Sequence, residues 1–205
     1  MDIKLNFINA SDNANNAQIV ILQKSAAGRP DANAVAWQVI QNCGKGCRHP
    51  FRYTMSVMVD AGDSYGNFTP LFPAPNGTLF QMIQINSGDQ LTVAGAGTSP
   101  TEIQVLNGLP KGAISANVYR SGKLVATKTA IAPQQKAVFD FMPTIWIGAV
   151  SQVEEGTILN SAILSTIGTE ISLLGIASAD IVMTGGGPGP EGEPFQFNVE
   201  NIVMA

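Results

Sequence analysis

Apolar side chains recur at every second residue through much of this chain, in short runs. Leu5 with Phe7, the block Ile19–Leu22, Leu79 to Ile85, Ile114 to Tyr119, Leu124 to Ala130, and Phe195, Phe197 and Val199 all carry the pattern. Successive side chains of a strand point to opposite faces, so a period of two marks strands rather than helices. Glycine and proline, 21 and 12 in number, punctuate the runs at close intervals. Short strands with such punctuation predict an all-β fold, an antiparallel sandwich or jelly-roll-like domain spanning residues 1–205 with at most one short helix.

Local chemistry fixes several joints. The Asn-rich link from Asn9 to Asn16 reads as a turn, and Arg120-Ser121-Gly122-Lys123 reads as the tip of a hairpin. Asn86-Ser87-Gly88-Asp89 predicts a second hairpin, while Pro70, Pro73 and Pro75 interrupt any ladder because proline has no N–H to donate. Val35, Trp37 and Val39 alternate as a strand would, with a short helix capped by Asp31 as the competing reading. Tyr53 to Val59 alternates weakly and leads into a loop from Asp60 to Asn67; Thr184 to Gly192 reads as a low-complexity loop.

Charge narrows the function. Only 13% of residues are charged, against roughly 25% in ordinary soluble domains. The 11 Lys and Arg are scattered and the net charge is -4, which argues against a nucleic-acid partner. From Thr157 to Val182 only Glu170 and Asp180 are charged. Strand edges normally carry charge or proline to prevent pairing between molecules. The expectation is a non-enzymatic protein that associates with itself, with Ile167, Thr169, Ile171 and Leu173 at the contact. A membrane-inserting hairpin over Thr157–Leu174 is a further reading, but Leu164, Leu174 and Ile176 break its alternation and argue against a membrane partner. The first residues lack the apolar run of a secretory signal, so the expected location is the cytoplasm or outside the cell by an unconventional route.

Candidate sites are few. Cys43, Cys47 and His49 bring three soft or borderline metal ligands within seven residues, and the same residues contain the elements of a Cys–His nucleophile pair. The plain alternative is a turn carrying two thiols. Tyr65 with Asp60, Asp63 and Asn67 combines an aromatic ring with oxygen donors, a set suited to a carbohydrate or to Ca²⁺. Asx residues beside glycine are also ordinary turn formers. Glu154/Glu155 and Glu191/Glu193 read as solvated carboxylates. Gly185–Gly187 lacks the lysine and helix of a phosphate loop. No catalytic set emerges and no cofactor is expected.

Leu5-Asn6-Phe7-Ile8-Asn9-Ala10-Ser11, the Asn-rich turn, and then Val20-Ile21-Leu22-Gln23 resemble the opening of the bacterial rhizosphere-induced proteins. The resemblance covers about the first 24 residues. It implies a bacterial, β-rich protein linked to community or host-associated growth, and it transfers no functional residue.

Overall fold

The computed structural model describes residues 2–26, 32–187 and 192–205. The strands follow in chain order as β1 (Asp2–Asn9), β2 (Gln18–Leu22), β3 (Asn33–Ala34), β4 (Gln38–Ile40), β5 (Arg48–Thr54) and β6 (Met58–Gly62). Next come β7 (Phe72–Pro73), β8 (Thr78–Ile85), β9 (Gly88–Ala96), β10 (Glu102–Asn107), β11 (Ile114–Arg120) and β12 (Lys123–Ile131). The chain closes with β13 (Lys136–Asp140), β14 (Thr144–Val150), helix α1 (Ser161–Thr166), β15 (Thr169–Ser172), β16 (Ile176–Gly186) and β17 (Glu193–Met204). Among the described residues the fold is all-β with one short helix.

The chain divides into two compact units. The first gathers Met1–Gln23, Ala36–Met55 and Pro143–Ala205; the second gathers Lys24–Val35 and Ser56–Met142. In the first unit, one sheet has the order β17-β16-β1-β5 and the other β15-β14-β2-β4. β1 runs parallel to β16 and antiparallel to β5, so the first strand lies inside its sheet. Ile3, Leu5 and Phe7 of β1 are buried together with Ile181 and Met183 of β16 and Ile145 and Ile147 of β14. The Trp37 ring meets those of Phe51 and Tyr53 edge-on, at 6.1 and 6.0 Å. Gln23 Nε2 donates to the Tyr53 hydroxyl at 2.8 Å, satisfying a polar tip inside the apolar layer.

In the second unit the sheets have the orders β3-β12-β11-β6-β7 and β13-β10-β8-β9. Phe80, Met82, Leu91, Ile103, Val105 and Phe139 of the second sheet are buried, as are Val59, Ala61, Ala116 and Val118 of the first. Asn107, wholly buried beyond this apolar set, donates to the carbonyls of Gly112 and Ile131 at 2.9 and 2.8 Å.

Both predicted hairpins form, β8–β9 and β11–β12. Ser121 and Gly122 turn the second with φ of 53° and 77°, the left-handed pair that matches strand twist. Elsewhere the structure corrects the sequence reading. The Val35–Val39 run is split, with β3 ending before it and β4 beginning at Gln38, because Trp37 turns into the core. Asp31, the cap of the competing helix, lies outside the described residues. The observed helix is α1, where Asn160 Oδ1 accepts from Ile163 N–H at 2.9 Å. The loop expected from Asp60 begins only at Asp63, because β6 continues through Gly62. Part of the expected glycine loop is strand, since β16 runs to Gly186. A Cβ on Gly186 would stand 2.3 Å from the Asp12 carbonyl oxygen, so this close approach needs glycine.

Candidate functional site

The residues singled out in the sequence separate into three places. On β6, Asp60 is buried, with 6% of its surface exposed. It lies in register with Asn117 of β11, which in turn faces Thr127 of β12. Asn117 Nδ2 donates to Asp60 Oδ1 at 2.8 Å, and Thr127 Oγ1 donates to Asn117 Oδ1 at 2.7 Å. Tyr119 also bonds the Asp60 carboxylate. Burial pushes the Asp60 carboxyl above its ordinary range, and the bonds from Asn117 and Tyr119 pull against that rise. The Tyr119 phenol is pushed up to about 12 by burial, then by the Asp60 charge and by its bond to that carboxylate. This row of polar side chains is a cross-strand ladder whose groups are spent on one another.

Asp63, Tyr65 and Asn67 occupy the neighbouring loop and do not share in that ladder. Asp63 Oδ1 accepts the backbone N–H groups of Tyr65 and Asn67 at 2.8 and 2.9 Å, and Oδ2 accepts Asn67 Nδ2 at 2.8 Å. These donors, Asn67 foremost, hold the Asp63 carboxyl below its usual range. Tyr65 is 83% exposed. The four residues grouped by the sequence are thus a buried ladder member and a three-residue loop. Asp63 and Asn67, but not Tyr65, line a polar cleft of about 340 Å³ with Phe68, Thr69, Met82, Ser87, Gly88 and Asp89. Phe68 and Asp89 were missed by sequence reasoning; the signal for Phe68 was an aromatic residue next to the Asx-rich loop.

Cys43 and Cys47 adjoin in the third place. Their loop wraps Asn9: Gly46 N–H donates to the Asn9 carbonyl at 2.6 Å, Asn9 N–H to the Cys47 carbonyl at 3.1 Å, and Asn9 Nδ2 to the Cys43 carbonyl at 2.6 Å. Burial pushes the Cys43 thiol up, and neighbouring Cys47 adds to the rise, which disfavours the thiolate that metal binding or nucleophilic attack requires. His49 lies on β5 opposite Phe7 of β1. Among the described residues no group of three or more His, Cys, Asp and Glu stands where it could hold a metal ion. The arrangement of these residues is that of a turn clamped to the buried Asn9.

The side chains expected at a self-association contact are mostly internal. Ile167, Ile171 and Leu173 are buried at 1%, 4% and 1% exposure, and Thr169 is half-buried. The exposed apolar residues of this unit lie elsewhere, at Met55, Ile158, Leu174, Ile202, Val203 and Met204. A second cross-strand ladder stands nearby. Asp180 of β16 accepts from Asn6 Nδ2 of β1 at 2.9 Å and from Asn201 Nδ2 of β17 at 2.7 Å. Both bonds hold the Asp180 carboxyl low, that from Asn201 more strongly.

A cleft of about 490 Å³ lies in the first unit and is lined by Ala17, Ala149, Val150, Ser151, Ala162, Ile163, Thr166 and Phe195, none of them titratable. No helix among the described residues is long and apolar enough to cross a membrane. No protein-family model, curated protein or solved structure matches the chain.

Proposed function

We propose that this is a non-enzymatic protein that assembles with copies of itself by pairing the outer edge of β17. The observation behind this reading is the contrast between the two edges of one sheet. β5 carries Arg48, Pro50 and Arg52, residues that block pairing by charge and by a missing donor. β17 runs for 12 residues with Glu193 and Glu200 as its only charges and Pro194 near its start as its only proline. It bonds β16 on one side and is terminal in the strand order on the other. Asn201 has a φ of 49°, a local bend that Asp180 pins, so Gln196–Glu200 is the regular stretch available for pairing.

Two copies pairing antiparallel along this stretch would join their sheets into one of eight strands. Each main-chain N–H and C=O at the edge would exchange water for a partner. Low charge supports the reading, because little repulsion opposes close approach. Beside the end of β17 lies an apolar cleft of about 220 Å³ lined by Met55, Pro143, Leu174, Ile176 and Ala205 among others. Its apolar surface would add contact area to the edge.

Light scattering on eluted peaks over a range of concentrations tests this. The wild type is expected as a dimer or larger, and Gln196→Lys combined with Asn198→Lys as a monomer with an unchanged circular dichroism spectrum. Both substituted side chains are exposed, so the fold tolerates them. A wild type that stays monomeric at high concentration rejects the proposal.

A further inference from the structure

We infer that the cleft between the Asp63–Thr69 loop and the β8–β9 turn binds a neutral saccharide. One wall is the ring of Phe68, which is 64% exposed. Its position is fixed from behind. Gly62 and Phe68 form a backbone bridge, and a Cβ on Gly62 would stand only 2.8 Å from Phe68 Cε1 and from Ser115 Oγ. The glycine therefore lets the ring settle against the strand and present its open side to solvent. An aromatic face held in this way suits the C–H face of a pyranose, which is apolar on one side and polar at its rim.

The remaining walls supply the rim's partners. Asp63 is filled by its own loop, accepting the N–H groups of Tyr65, Gly66 and Asn67, and Asn67 Nδ2 as a fourth donor. That last bond directs Asn67 Oδ1 to remain an acceptor. Across the cleft, the Asp89 carboxylate has a long 3.4 Å contact with Gln84, and Ser87 offers a hydroxyl. Acceptors thus outnumber donors, the complement of a hydroxyl-rich ligand.

Charge then selects among sugars. Two carboxylates and no cationic side chain line the cleft, so sialic and uronic acids are repelled and neutral pyranosides are admitted. A volume of about 340 Å³ lies at the lower end of small-molecule sites, which begin at about 300 Å³; it fits one or two rings. The loop's hydrogen bonds are made within the protein itself, so little ordering accompanies binding.

The test is an array of neutral and acidic mono- and disaccharides probed with and without a calcium chelator, followed by titration calorimetry on the neutral sugars retained. Neutral pyranosides are expected to bind equally well with and without the chelator, and acidic sugars are expected not to bind. Phe68→Ala should weaken binding about tenfold and Asp89→Asn several-fold. Gly62→Ala, which displaces the Phe68 ring without removing it, should also weaken binding. Should Phe68→Ala unfold, Asp89→Asn at the exposed turn decides. A blank array, or affinity unchanged by Phe68→Ala and by Asp89→Asn, overturns the inference. Neither the cleft nor these substitutions touch β17, so this outcome is independent of assembly.

Discussion

Asp60 and Asp63 stand three residues apart and have opposite fates. Asp60 ends up in a sheet interior where its carboxyl is pushed up; Asp63 ends up on an exposed loop where its carboxyl is held down. The difference comes from which desolvation and hydrogen-bond effect wins. At Asp60 the loss of water outweighs the bonds from Asn117 and Tyr119, whereas at Asp63 solvent stays close and the donors add to it. Identical side chains in one short stretch thus serve as a strained internal acceptor and as a loop fastener. Only the second lines a cleft.

The largest break in that comparison is Asp60→Ala. It removes the acceptor of both Asn117 and Tyr119, and leaving buried donors unsatisfied costs about 2 kcal/mol. Urea unfolding is the measurement; a loss no greater than that of a typical surface substitution would place Asp60 outside the ladder. Asp60→Asn sharpens the comparison through its neighbour. The Tyr119 phenol, about 12 in the native protein, should fall toward its ordinary value as the Asp60 charge disappears. It should not fall all the way, because burial is the leading cause of the rise. Alkaline titration followed by tyrosinate absorbance reads this directly, and an unmoved transition would show that the two groups are not coupled.

The smallest effect concerns acid. A raised carboxyl favours the protonated fold, so Asp60 contributes most stability below its ordinary 3.8 and loses that contribution as pH rises through the raised value. A lowered carboxyl does the reverse: Asp63 contributes stability above 3.8, lost as pH falls through the lowered value. Unfolding curves of Asp60→Asn and Asp63→Asn, each subtracted from wild type across the acid range, should therefore slope in opposite directions. Parallel slopes would remove the distinction.

Period-two patterning revealed the strands whose partners are close in sequence, such as β8 with β9 and β11 with β12, because the turn residues between them carry their own signal. It did not reveal β10 or β16. β10 pairs with β8 and β13, and β16 with β1 and β17; neither is announced by a tight turn at both ends. The division of Asp60 from Asp63 was hidden for the same reason. Turn-forming composition runs from Asp60 to Asn67, and it is distant partners, Asn117 57 residues away together with Tyr119, that make a strand position for Asp60 acceptable. A shortage of charge drew attention to the stretch around Ile167–Leu173. Its strand β15 is terminal in its own sheet, although Ile167, Ile171 and Leu173 turn their side chains inward; the longer edge on β17 could not be read from the sequence, because topology decides which strand becomes an edge.

The position of β1 inside its sheet imposes an order in time. β1 is made before its partners, gains β5 as a neighbour early, and must then wait for β16, whose Asp180 lies 174 residues beyond Asn6. The loop closed by that pairing is long, so contacts within the second unit, which is made in the interval, have the kinetic advantage. β17 pairs with β16, so the edge proposed for assembly is present only once both of these late strands have been made. If the proposed pairing holds, a chain still short of β16 and β17 would have no such edge to join with.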